Sequence, residues 1–120
     1  MFLMTEKVLK KRYLEYNARY ISGRLPAEVE IRVQKPPSRR KLAGCLYRCV
    51  DGNFAIYINP VVANLCAGEP IFAHQTLIHE MCHLYLVACG KSRRVYSGHG
   101  RLWQNEMKRI AASGGMKTIW

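Results

Sequence analysis

The ten residues LIHEMCHLYL, Leu77 to Leu86, decide how the rest of the chain is read. Seven of the ten are apolar, and the stretch has the look of a core-facing helix. Into that helix are set His79, Glu80 and His83. At 3.6 residues per turn, His79 and His83 stand one turn apart and only ~40° from each other around the axis. Their rings can converge on one ion. Glu80 lies ~60° to the side of His83, beside the pair and not between them. This is the H-E-x-x-H arrangement, two zinc ligands plus a carboxylate able to hold an attacking water. The competing reading is two satisfied core histidines with a solvated glutamate. Burying such a trio unpaired on a mostly apolar helix is costly, which favours the ion.

Pro70 suits the first turn of this helix, and Glu69 beside it complements the helix dipole. The helix is expected to run to about Ala88 or Cys89, with Gly90 as its stop.

Zinc needs a third protein ligand and an open fourth position. Downstream of His83 there is no aspartate, and the only candidates are His99 and Glu106. Cys89 lies ~120° from His83 around the same helix, and His74 lies ~140° from His79, so both point away. His74 reads as a packing or surface histidine. His99 sits between Gly98 and Gly100, where the backbone can bring an imidazole close to another element. It is favoured over Glu106, which lies two turns along the last helix and could instead orient a ligating histidine.

Working outward, Thr5 caps a first helix to about Tyr20, with Val8, Leu9, Tyr13, Tyr16 and Tyr20 on its apolar side. SGRLP, Ser22 to Pro26, breaks it. EVEIRV, Glu28 to Val33, alternates as a strand. LAGCLYRCV and FAIYINP form two more strands around the turn Asp51–Asn53, and Pro60 ends the third. VVANLC is expected to be a short helical turn stopped by Gly68. The last helix starts near His99 and carries Leu102, Trp103, Met107, Ile110 and Ala111 on one face. Gly114-Gly115 closes it, and MKTIW is a short strand or a frayed tail. The order helix, three strands, long helix, helix predicts one α+β domain over residues 1–120, with an antiparallel or mixed sheet.

The 120 residues carry 19 Lys+Arg against 8 Asp+Glu, a net charge of +11. Such a field attracts polyanions, nucleic acid first among them, although a solvated surface explains it as well. The basic residues concentrate in two loops, with Arg39, Arg40 and Lys41 in one and Lys91, Arg93 and Arg94 in the other. Cys45, Cys49, Cys66, Cys82 and Cys89 are odd in number and contain no C-x-x-C pair. They read as structural thiols in a reducing compartment. The opening MFLMTEKVLKKRY runs apolar to basic, the reverse of a secretory signal, and no apolar run is long enough to span a membrane. The expectation is a soluble, cytoplasmic protein.

With HEMCH followed by SGHGRLW, the chain resembles the SprT-like zinc metalloprotease family, Spartan-like proteases among them. YLEYNARYISGRLP looks like that family's opening helix and GCLYR with FAIYINP like its strand pair, so the similarity covers roughly residues 5 to 112. The resemblance implies a zincin-like core. It implies zinc on His79, His83 and His99, and Glu80 as the catalytic base. It implies a protein substrate, with DNA-associated or DNA-crosslinked proteins as its class. Many members add a C-terminal zinc ribbon, and this chain has no C-x-x-C to form one. Ser97 stands where an acidic residue is common.

Two functions are therefore carried forward. One is a zinc endopeptidase, with FAIYIN receiving substrate as an added strand if it lies at the sheet edge. In it Tyr96 is a candidate oxyanion donor, with packing as its plainer role. The alternative is a basic nucleic-acid-binding module whose zinc is structural or vestigial.

Overall fold

The computed structural model describes residues 5–35, 44–49, 51–61, 71–88 and 100–113, the first three of the 71–88 segment as backbone only. Helix α1 spans Glu6–Tyr20, α2 Ile71–Ala88 and α3 Arg101–Ala112; strands β1, β2 and β3 span Glu30–Val33, Gly44–Arg48 and Phe54–Ile58. This is the expected α+β order.

Thr5 caps α1 as its sequence position predicts. Its hydroxyl accepts the Val8 amide at 3.2 Å, and Glu6 and Arg19 place charge of the right sign at each helix end. Leu9, Tyr13 and Tyr20 are buried, so the tyrosine stripe is core. Asn17, on the same face, does more than pack. Its amide nitrogen donates to the Leu25 carbonyl at 2.9 Å, and its oxygen accepts the Leu25 amide at 3.0 Å. That clamp folds the chain back after Ser22 and Gly23, whose φ values of 56° and 70° end the helix.

The β2–β3 hairpin closes around Gly52, whose φ of 90° favours glycine. The Asp51 carboxylate accepts the Asn53 amide at 3.0 Å, and Cys49 N–H donates to the Asn53 carbonyl at 2.7 Å. The sheet order is β1-β3-β2, with β1 parallel and β2 antiparallel to β3. The sheet is thus mixed. β3 is its central strand, and FAIYIN is not an edge available to substrate. Its unbroken apolar run fits a strand covered on both faces.

Ile31, Leu46, Ile56 and Ile58 project from one sheet face into a core shared with Leu9 and Tyr13 of α1, Leu77, Met81 and Leu84 of α2, and Trp103, Met107 and Ile110 of α3. Each such side chain contributes roughly 1.5–3 kcal/mol by leaving water. On α3 the expected face needs one correction. Leu102 is 51 % exposed, and Glu106 occupies the buried position instead. The buried set Trp103, Glu106, Met107 and Ile110 keeps strict three- and four-residue spacing, from which Leu102 lies outside. Pro60 and Val61 are helical, and the Asn59 side chain accepts the Val61 amide at 3.0 Å. The remainder of VVANLC, the Gly68, Gly90 and Gly114-Gly115 stops, the MKTIW tail and the clustered basic residues of both loops lie outside the described residues. Among the described residues no helix is long and apolar enough to cross a membrane.

Candidate metal centre

Helix α2 sets both histidines and the glutamate on the side that faces β2 and α3. His79, Glu80 and His83 bring one ligand atom each to within 4.8 Å of the others, a group that could hold a metal ion. The two imidazoles are 5.2 Å apart by ring centroid. His79 Nε2 and Glu80 Oε1 are 3.9 Å apart. Burial is graded across the group. His83 is 2 % exposed and Glu80 5 %, whereas the His79 side chain keeps 13 % of its surface. The group therefore opens to solvent on the His79 side.

The donor set suits zinc or a similar divalent ion, which takes imidazole nitrogen and carboxylate oxygen readily. The electrostatics agree. Burial pushes the Glu80 carboxyl up to about 8, against the pull of a hydrogen bond from the Leu46 backbone amide. A cation beside it would offset that burial and keep it ionised.

Two neighbours hold the group in place. Trp103, from α3, lies 4.6 Å from the His79 ring and stacks on His83 at 5.6 Å with 24° between planes. Its indole N–H donates to the His79 carbonyl at 3.3 Å. One side chain thus links α3 to both imidazoles. In the sequence Trp103 is visible as an apolar position and as the aromatic that closes SGHGRLW, but not as the residue that packs on both imidazoles. The second neighbour is β2. Cys49 N–H bonds β3, and alternation along an antiparallel pair then turns the amides and carbonyls of Gly44, Leu46 and Arg48 away from β3. That outer edge faces Glu80. Cys45 is close enough for the Glu80 charge to add to burial in raising its thiol, to about 11.

The remaining candidates separate clearly. Glu106 does not join the group. It is buried against Arg109, whose guanidinium bonds its carboxylate and also donates to the Tyr20 carbonyl at 2.6 Å. Through Arg109 it ties α3 to the end of α1. His74 packs edge-on against Tyr16 at 6.0 Å, as a packing histidine should. Cys45, Cys49 and Cys82 are free thiols. His99, Tyr96, Cys66 and Cys89 lie outside the described residues.

No curated protein matches the chain closely enough to serve as a relative. The SprT-like family model matches residues 9–118, which takes in all six elements but the first residues of α1. With nearly the whole chain covered and a His-Glu-His group at its centre, the chain belongs to the SprT-like family, a metallopeptidase-like family.

Proposed function

We propose that the protein is a zinc-dependent metalloendopeptidase acting on protein substrates. The observation that carries the reading is the gathering of His79, Glu80 and His83 on one helix turn, in a member of the SprT-like family. His79 and His83 would hold the ion, with His99 as third ligand and a fourth position left for substrate and water. When bound, zinc supplies Lewis acidity toward a scissile carbonyl and a water molecule.

Glu80 takes the proton from the attacking water and delivers it to the leaving amine. Its carboxylate is suited to this by position, beside the imidazoles and facing the Leu46 backbone. Trp103 keeps water from the inner side of both rings. Free thiols at Cys45, Cys49 and Cys82 suit a reducing, cytoplasmic setting.

A second reading draws on the net charge of +11. It keeps zinc as a structural element and makes nucleic acid the ligand, or, combined with the first, makes proteins on DNA the substrates. Binding would then weaken steeply with salt.

The test is metal removal. Chelated protein should lose cleavage of a DNA-binding protein substrate, and stoichiometric zinc should restore it. Running the assay with and without DNA separates the readings. Cleavage under neither condition, with salt-dependent DNA binding intact, would favour the binding module.

A further inference from the structure

Strand β2 packs on the α2 turn that carries Thr76 and Glu80, and Gly44 lies against that turn. A Cβ placed on Gly44 would stand 2.7 Å from Thr76 Cγ2, 3.1 Å from the Tyr57 carbonyl oxygen and 3.4 Å from Glu80 Cγ. The first distance is shorter than real side chains tolerate. Thr76 is 2 % exposed, and its branched side chain has few rotamers on a helix. The Tyr57 oxygen belongs to the backbone of the central strand. Neither wall of the gap yields cheaply.

Gly44 is not needed for its backbone freedom. Among the described residues the positive-φ glycines are Gly23 and Gly52, and Gly44 is not one of them. The position needs space. Two residues on, and turned the same way, Leu46 points its amide away from β3 and toward Glu80, where it favours the ionised carboxylate. The contact at Gly44 and the outward amide at Leu46 are therefore parts of one close fit between β2 and α2.

We propose that Gly44 is a positioning residue for Glu80. Its bare Cα lets the outer edge of β2 close on α2, so that the Leu46 amide holds the Glu80 carboxylate beside His79 and His83. The catalytic part of this inference rests on the reading of Glu80 as the base. The geometric part stands without it.

Three variants test it: Gly44→Ala, Thr76→Ser, which removes the Cγ2 that would clash, and the double variant. The first readout needs neither zinc nor activity. In the metal-free protein, Gly44→Ala should speed hydrogen exchange of the Leu46 amide by about tenfold or more, the loss expected for one hydrogen bond. Exchange at Ile56 and Ile58 in β3 should stay near wild type. Glu80→Ala should release the Leu46 amide to a similar degree. The second readout is kinetic. In the zinc-loaded protein kcat should fall about tenfold or more, with KM within about threefold and bound zinc unchanged. Adding Thr76→Ser should recover a large part of both, the Tyr57 oxygen remaining as the lesser obstacle.

The proposal is overturned if Leu46 exchange is unmoved in Gly44→Ala or Glu80→Ala, or if β3 loosens as much as Leu46. It is equally overturned if Thr76→Ser restores nothing. Should Gly44→Ala fail to fold, a folded double variant with most of the wild-type Leu46 protection supports the proposal, and an unfolded one refutes it. If the wild type cleaves nothing, the exchange readout still decides the geometry, so that outcome counts against the enzymatic reading alone.

Discussion

The two edges of the sheet are used differently. On the β1 side, α1 covers the strand and the residues leading into it with charged side chains. The Glu6 carboxylate accepts the Val33 amide at 3.2 Å, and the Lys10 ammonium donates to the Ala27 and Val29 carbonyls. Groups that could pair with another strand are spent inside the molecule, the usual way of blunting an edge. On β2, the outer amide of Leu46 faces Glu80, and Gly44 packs against the helix. One edge is closed for stability. The other is built against the candidate site. The lesson is that the site-facing side of a small sheet is recognised by what its backbone groups touch.

The largest expected effect comes from breaking the β2 side at its ligands. His83→Ala should abolish stoichiometric zinc and lower cleavage by at least ~10³-fold, since a two-ligand site holds the ion poorly. Metal analysis after dialysis, alongside a cleavage assay, checks both. Retained zinc and activity would remove His83 from the site.

Opening the β1 edge should do something else. Lys10→Met keeps the aliphatic stem but leaves two carbonyls without the ammonium, costing about 1 kcal/mol. The thermal midpoint should drop by a few degrees while cleavage stays within about twofold. A large loss of cleavage would show that the two edges are not separate in function.

The smallest effect lies where α2 meets α1, away from the metal group. Burial, helped by the Arg12 charge and opposed by Glu15, lowers His74 from its ordinary 6.5. Between that lowered value and 6.5 the unfolded chain holds more protons, so stability rises with pH across the window. The contribution is complete above about 6.5 and is lost as pH falls. His74→Phe keeps the edge contact with Tyr16 and should flatten this acid-side slope in denaturant titrations. An unchanged slope would assign the loss to another group.

Much of this was legible in the residues. Local signals placed α1 with its Thr5 cap, α2 nearly to the residue, and the hairpin around Asp51–Asn53, because caps, periodicity and turn chemistry act over a few positions. His79, Glu80 and His83 were readable as a group for the same reason, since one helix turn sets their geometry. What depended on tertiary pairing was not legible. The parallel pairing of β1 with β3 follows from a crossover, although the unbroken apolar run of FAIYI could have signalled a central strand. Glu106 looked available as a ligand because its partner Arg109 can be identified only once α3 is seen against Tyr20. Trp103 and Gly44 carry no chemistry of their own. Their importance comes from the imidazoles and the helix they touch.

The central claim is that the His-Glu-His group divides its labour, with the histidines holding metal and Glu80 moving the proton. Glu80→Gln tests that division directly, with bound zinc and cleavage measured on the same preparation. The account predicts wild-type zinc content and cleavage reduced by about 10²- to 10⁴-fold, the range for a lost general base. Undiminished cleavage in Glu80→Gln, with zinc in place, would contradict it.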